Sequence, residues 1–312
     1  MRTRRLGAHG PEISAVGYGA WEAGGTSWGS PVPDEQTIDA IRAGVEAGIT
    51  WVDTAEVYGD GRSEELVARA VGADVMVFTK VAPRGAGSGF DPASVRRACE
   101  GSLRRLGRDV VDLYQLHWRD DSIPVEETWG AMAALVDDGL VRWIGVSNFE
   151  RGLIERCLAI RHVDSLQQQF SMLHRDGEDD LFPWCAEQGI GVLAFGPLAY
   201  GLLTGAITRD SVFDDADWRS GKGESSSFYD ELFAQGKLEP NLAIAERLRK
   251  VADRAGMSTA QLALAWILSR DCVTAAIAGS RSARHTVENA GAAALTLDPS
   301  TLEEIETILA GG

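Results

Sequence analysis

The sequence predicts an α/β fold: a (β/α)8 TIM barrel with an N-terminal β-hairpin and a long lid loop after the seventh strand. Three observations lead there. Eight short β-branched or apolar runs alternate with longer amphipathic stretches, no low-complexity linker divides the 312 residues, and the gaps between runs are long enough for crossover helices. Eight strands with helices between them read as a closed parallel barrel rather than an open doubly wound sheet. Barrels routinely run to this length as one unit, so residues 1–312 are expected to form a single domain.

The opening segment Thr3–Ser14, turning at His9-Gly10-Pro11, reads as a hairpin closing the barrel floor. The predicted strands are Ala15–Gly19, Thr50–Asp53, Val75–Lys80, Val111–Leu116, Val141–Val146, Ser165–Gln168, Gly191–Phe195 and Val273–Ala278. Several helices between them carry explicit boundary signals. Asp91-Pro92 sets an N-cap before a first-turn proline, Val95, Ala98, Cys99, Leu103 and Leu106 then share a face, and Gly107 ends the helix. Leu242, Ala245, Leu248 and Ala252 form a second stripe ending near Gly256, and Ser258 with Gln261 has capping-box spacing for the next helix. Trp51, Trp129, Trp143 and Trp266 fall within strands or on helix stripes and are expected in the core. Two loops depart from the alternation: Gly24–Gly29, and a polar stretch between Leu203 and Glu239 that reads as a lid over the mouth. The glycines at 85, 87 and 89 are spaced GxGxG rather than GxGxxG and precede a helix cap, so they mark a flexible loop and not a dinucleotide fingerprint.

Composition narrows the partners. A formal net charge of −16 repels nucleic acid and anionic membrane, so any anionic ligand must be held by a local cluster of positive groups. The longest apolar region, Ile190–Leu203, is broken by Gly191, Gly196, Pro197 and Gly201 and cannot span a bilayer as a helix. The basic N-terminus lacks a following apolar core, and Cys99, Cys157, Cys185 and Cys272 form no CxxC pair. Four reduced thiols, no metal and a cytoplasmic location are therefore expected. Self-association is not decided by any heptad or apolar edge.

In this architecture the active site lies at the C-terminal mouth, so the residues that end the strands matter most. Asp53 ends the second strand, with Tyr58 in the loop after it; Lys80 ends the third; His117 follows the fourth. Singly, each has a plain structural alternative: a loop cap, a tyrosine packed under a glycine turn, a solvated lysine, a satisfied buried histidine. As a set on adjacent strands they suit carbonyl reduction, where an alkoxide needs a positioned proton donor. Tyrosine titrates near 10, and bringing it to about 7 takes roughly 4 kcal/mol favouring the phenolate. A lysine ammonium about 4 Å away supplies roughly that at an effective dielectric of about 20. Tyr58 is thus expected as the proton donor with a lowered pKa, Lys80 as its electrostatic partner, Asp53 as the counterion and His117 as the group that orients the carbonyl oxygen.

The motifs then resemble a known family. Asp53-Thr54-Ala55-Glu56-Val57-Tyr58-Gly59 with Ser63-Glu64-Glu65 looks like the aldo-keto reductase signature. Phe78-Thr79-Lys80, Asp112-Leu113-Tyr114-Gln115-Leu116-His117-Trp118 and Ile144-Gly145-Val146-Ser147-Asn148-Phe149 match later family motifs in order and spacing. The likeness continues through Gln261–Trp266 to Glu288 and Asn289. It implies NADP(H), in preference to NAD(H), lying extended across the mouth without a Rossmann fold. It also makes Asp53, Tyr58, Lys80 and His117 a catalytic tetrad. Ser147, Asn148 and Gln167 would hold the carboxamide, while Phe195, Gly196 and Leu198 would line the cofactor. Ser280 and Arg281 would receive the 2′-phosphate, with Gly279 among the cofactor contacts and His285, Glu288 and Asn289 towards the adenine. A guanidinium fork suits a phosphate and supplies the local positive charge that an acidic chain needs.

Three positions depart from the family's pattern: Phe195 stands where tyrosine is usual, Gly196 where serine is common, and His285 where glutamine often occurs. Trp21, Trp28 and Trp118 are candidates for the substrate pocket, with Trp218, Phe228 and Tyr229 in the lid. The substrate implied is a small carbonyl or alcohol. Two other readings compete: an NADP(H)-sensing regulatory subunit with little turnover, and a metal-dependent hydrolase built on Asp53 and His117. The intact tetrad argues against the first, and the lack of a second strand-end histidine against the other.

Overall fold

A computed structural model describes residues 1–25, 27–82, 90–222 and 227–311. The glycine-rich stretch at 85–89 lies outside the described residues. The chain opens with an antiparallel hairpin, β1 (Thr3–Arg5) and β2 (Glu12–Ser14). Eight parallel strands follow: β3 (Val16–Gly19), β4 (Trp51–Asp53), β5 (Met76–Val81), β6 (Val111–Leu116), β7 (Val141–Ser147), β8 (Ser165–Gln169), β9 (Gly191–Phe195) and β10 (Ala275–Ala278). Each pairs with its sequence neighbour, and β10 closes the barrel on β3 through Ala276 opposite Val16 and Ala278 opposite Tyr18. The predicted strands all occur, with ends displaced by at most two residues.

The helices are α1 (Asp34–Glu46), α2 (Arg62–Ala70), α3 (Pro92–Leu106), α4 (Val125–Asp137), α5 (Arg151–Leu158), α6 (Leu181–Glu187), α7 (Ser227–Leu232), α8 (Leu238–Arg254), α9 (Thr259–Leu268), α10 (Ala283–Gly291) and α11 (Pro299–Ala310). The caps form as the sequence predicts. The Asp91 carboxylate accepts from the Ala93 and Ser94 N–H groups, Gly107 ends α3 at φ +61°, and Ser258 and Gln261 complete a capping box. No helix among the described residues is long and apolar enough to cross a membrane.

Apolar packing forms two layers. The larger lies between strands and helices, and Trp129, Phe170 and Trp266 are fully buried in it. The smaller fills the barrel itself: Leu6 and Ile13 from the hairpin meet Trp51, Phe78, Leu113, Leu193, Ala275 and Ile277. The hairpin is therefore the floor of the barrel. Its docking needs glycine at 191, where a Cβ would lie 2.5 Å from Leu6 Cδ1, and the Trp51 ring inside the barrel needs glycine at 17, where a Cβ would lie 2.3 Å from it. Trp51 also donates from Nε1 to the Ser14 carbonyl at 2.9 Å, tying interior to floor.

Two expectations are corrected. Trp143 is only half-buried: it packs against the edge of the barrel-interior cluster, and its indole N–H donates to the His9 carbonyl at the hairpin turn. The segment from Leu203 to Glu239 is not one long irregular loop. It contains a 3-10 turn at Trp218–Ser220 and helix α7, and its last two residues already belong to α8. Aromatic docking accounts for this order: Trp218 is buried against Trp28, Tyr200 and Phe233 with ring centroids 5.9, 5.0 and 5.4 Å away. Replacing Trp51 with alanine is expected to cost about 3–5 kcal/mol in denaturant unfolding, because the interior cannot collapse around the void. Val212→Ala, at a 93% exposed position, should stay within about 0.5 kcal/mol of the parent.

Candidate active site

Parallel register brings the strand ends together at one rim. Asp53 ends β4 opposite Phe78, and Lys80 in β5 pairs with Gln115 in β6, two residues before His117. Lys80 is fully buried, and its ammonium donates to Asp53 Oδ1 at 2.5 Å and to the Thr54 carbonyl at 2.8 Å. Its third contact is the Tyr58 hydroxyl, at 3.4 Å. Gln167 in β8 donates from Nε2 to the other Asp53 oxygen at 2.8 Å, so both carboxylate oxygens are engaged. The rings of Tyr58 and His117 meet edge to face at 5.6 Å, and His117 stacks on Trp118 at 3.8 Å.

Motif residues beside these four act as fasteners. Ser63 at the start of α2 donates to the Ala20 carbonyl at 2.7 Å and meets Thr54 Oγ1 at 2.8 Å, joining the ends of β3 and β4. Glu64 is fully buried, accepts from Thr79 at 2.6 Å and pairs with Arg105 at 2.6 Å, which anchors α2 against β5 and α3. The loop carrying Tyr58 passes so close to Gly24 that a Cβ on Gly59 would meet the Gly24 carbonyl at 2.1 Å.

Burial decides the protonation states. It pulls the Lys80 ammonium down, but Asp53 and Tyr58 more than compensate, and the lysine stays charged beyond its usual range. Burial pushes the Asp53 carboxyl up against the pull of Lys80 and Gln167. For Tyr58, burial outweighs the nearby ammonium, so its hydroxyl titrates above ordinary tyrosine rather than near neutrality. The expected lowering is thus reversed: the attraction of the Lys80 charge is present, but desolvation of the phenolate outweighs it. His117 is held well below its usual value by burial and then by the Lys80 charge, and is neutral. Its Nδ1 is buried without a hydrogen-bond partner among the described residues.

The remaining candidates divide around this rim. Ser147 ends β7, and Asn148 follows it at φ +59°, donating to the His117 carbonyl and to Ser147 Oγ at 3.0 Å. Phe195 ends β9, Gly196 turns at φ +64°, and Leu198 opens the next turn. Gly279, Ser280 and Arg281 follow β10, where a Cβ on Gly279 would meet the Gly19 carbonyl at 2.6 Å. On α10, Asn289 is buried, while His285 is exposed beside Arg284 and Glu288 pairs loosely with Arg284. Trp21 and Trp28 pack edge to face at 4.9 Å beneath Trp218, and Phe228 lies 6.3 Å from Trp21, so the Gly24–Gly29 loop and the lid form one aromatic canopy. Tyr229 lies on α7 with its ring over Gly221. Trp118 stands apart on the other side of His117 and is 43% exposed.

Sequence reasoning missed two residues here. Tyr200 adopts φ +53° and buries a hydroxyl without a partner among Trp21, Trp218 and Phe228. Glu22 lies 3.4 Å from Arg281. Neither could be found by motif: Tyr200 follows an ordinary apolar stretch, and Glu22 is one acidic residue in an acidic chain. The run Gly196-Pro197…Gly201 was the available hint of a strained turn.

A parallel barrel with a buried charged cluster at its C-terminal rim defines the class, a TIM-barrel enzyme. The aldo/keto reductase family model matches residues 15–310, and the chain belongs to that family and is an oxidoreductase. It is 34% identical to the aldo-keto reductase YhdN of Bacillus subtilis (strain 168) over 311 residues, covering 96% of this chain and 91% of the relative. The structure is similar to a glycerol dehydrogenase from Gluconobacter oxydans, with a TM-score of 0.86, 31% identity and coverage of 99% and 95%. An aldo-keto reductase from Klebsiella pneumoniae in complex with NADPH matches with a TM-score of 0.76, 31% identity and the same coverage.

The buried ion pair makes its own prediction. Lys80→Met strands Asp53 in a dry site and is expected to cost about 3–5 kcal/mol in denaturant unfolding, whereas the Lys80→Met/Asp53→Leu double variant should recover much of that loss.

Proposed function

We propose that this chain is an NADP(H)-dependent oxidoreductase that reduces small aldehydes or ketones to alcohols, or runs the reverse, with Tyr58 carrying the proton. The observation that supports this most strongly is the buried Lys80 ammonium, which touches both Asp53 and the Tyr58 hydroxyl. When bound, the reduced nicotinamide supplies the hydride. Tyr58, a protonated phenol, then gives its proton to the carbonyl oxygen, and the Lys80 charge stabilises the phenolate left behind. His117 is neutral and keeps an unsatisfied ring nitrogen, which suits a hydrogen bond that fixes the direction of the substrate oxygen. In this reading Asp53 holds the lysine in place and never titrates during the reaction.

The residues present fit the cofactor. Ser147, Asn148 and Gln167 offer amide and hydroxyl groups at the rim, and Phe195 offers a ring face beside the turn at Gly196 and Leu198. Beyond β10, Gly279 permits close backbone approach, and Ser280 and Arg281 lead into α10. Ser282 makes no side-chain cap there, so the first-turn N–H groups of α10 are left to an anion. His285 lies in the first turn of α10 and Glu288 and Asn289 one turn further, suited to the adenine. The NADPH complex of the Klebsiella relative supports this choice of cofactor. Trp21, Trp28 and Trp118 wall the substrate space, which favours small carbonyls with an apolar flank. The Gluconobacter relative's name also places small hydroxylated alcohols among the substrates to assay.

The test is consumption of NADPH with a panel of small and aromatic aldehydes. Tyr58→Phe should lower turnover by about 10²- to 10⁴-fold with NADPH affinity nearly unchanged. Equal activity in that variant would remove Tyr58 from the proton step, and tight NADPH binding without turnover in the parent would favour a sensing role. The pH dependence follows from the raised Tyr58 value. The protonated phenol is the working form in reduction, so kcat/KM should be flat through neutrality and fall only as pH rises beyond the ordinary tyrosine range.

A further inference from the structure

Arg281 does not wait for a ligand with free hands. Its Nε lies 3.4 Å from Glu22 Oε2, and one of its terminal nitrogens donates to the Ser30 carbonyl at 3.1 Å. Its backbone carbonyl accepts from Gln36 at 2.8 Å, which fixes the segment against α1. Glu22 sits in a 3-10 turn after β3, among groups from three directions: Tyr18 of β3, Arg281 beyond β10, and Arg219 and Asp217 of the lid. Arg219 is largely committed to Asp217, through bonds of 2.9 and 2.7 Å, and packs over Trp28 and Phe213. That leaves Arg281 as the cation Glu22 directly engages.

We propose that Glu22 is a built-in anion competing with the cofactor's 2′-phosphate for Arg281, so that NADPH binding displaces it and the chain's preference for NADP(H) over NAD(H) is reduced. This rests on the reading that Arg281 receives that phosphate. The chemistry is a swap of one anion for another on a single guanidinium. A phosphate carries more charge and offers bidentate geometry, so it wins, but only after the carboxylate's contact is lost. NADH has a hydroxyl at the same position and leaves the Glu22–Arg281 pair undisturbed. Burial already holds the Glu22 carboxyl above its usual range, against the pull of Arg281 and Arg219. A phosphate arriving beside it pushes in the same direction, so a proton from solvent moves onto Glu22 as NADPH binds.

The sign of the pH dependence follows. Glu22 binds its proton more tightly in the NADPH complex than in the free chain. Its contribution therefore favours NADPH at low pH and is lost as pH rises between the two values. The phosphate's own ionisation runs the other way, so the Glu22 part is the difference between the parent and Glu22→Gln.

Calorimetric titration of the full chain with NADPH and with NADH, in two buffers of different ionisation enthalpy, tests this in four variants: parent, Glu22→Gln, Arg281→Ala and the double variant. The expected results are NADPH affinity about five- to ten-fold higher in Glu22→Gln, with NADH changed less than about two-fold. The parent should take up more protons on NADPH binding than Glu22→Gln does, and Glu22→Gln should bring no gain when Arg281 is absent. If Arg281→Ala leaves NADPH affinity unchanged, the phosphate reading itself fails. If Arg281→Ala weakens NADPH but Glu22→Gln does not strengthen it, the competition fails while the phosphate reading stands. Equal strengthening of NADPH and NADH would make Glu22 a general repulsive charge and overturn the claim of selectivity.

Discussion

The ion pair between Asp53 and Lys80 is the contact on which the rest of the site depends. A lysine with no exposed surface is costly unless its charge is matched and its hydrogen bonds are satisfied. Here three acceptors meet the ammonium: a carboxylate, a backbone carbonyl and a phenol. The carboxylate is in turn held by Gln167 from the opposite side of the barrel. Three strands, β4, β5 and β8, must be in register for this set to exist, so the electrostatics of the rim and the closure of the barrel are a single constraint.

The same pair bears on why Tyr58 keeps its proton, as the proposed role requires. The bare Coulomb argument, an ammonium near a phenol, points towards an acidic tyrosine. Desolvation reverses it, because the phenolate would lose more water than one shared ammonium replaces. Lys80 divides its charge between Asp53 and Tyr58, and the shorter contact goes to Asp53. The tyrosine therefore keeps its proton, the form that the proposed proton transfer to a substrate oxygen calls for. Function then lies in the balance of two large opposing effects, and neither is visible in the identity of the residues alone.

Most of the fold was legible because its signals are local. Strand runs such as Val111–Leu116, caps such as Asp91 and the Ser258–Gln261 box depend on neighbours within a few residues, and they form as read. The clustering of Asp53, Tyr58, Lys80 and His117 was also legible, since barrel topology sends those strand ends to one rim. Long-range packing was not. Trp143 looked like core because of its strand, but its fate is set by the hairpin turn more than 130 residues earlier. The lid looked like an unstructured loop because it is polar on average, yet a few aromatics, Trp218 and Phe233 among them, dock it. Glu22 was invisible for a related reason: its meaning comes only from Arg281, far away in the chain.

Direct observation of the Lys80 charge tests the central claim. The chain contains four lysines, Lys80, Lys222, Lys237 and Lys250, so a ¹³Cε-lysine NMR spectrum is simple and Lys80→Met assigns the buried signal by its loss. The account predicts that the Lys80 signal keeps its ammonium shift as pH is raised past the ordinary lysine range, because Asp53 and Tyr58 favour the charged form. A Lys80 that is neutral at pH 7 would contradict it, leaving Asp53 without a counterion and Tyr58 without the charge that the proposed proton transfer relies on.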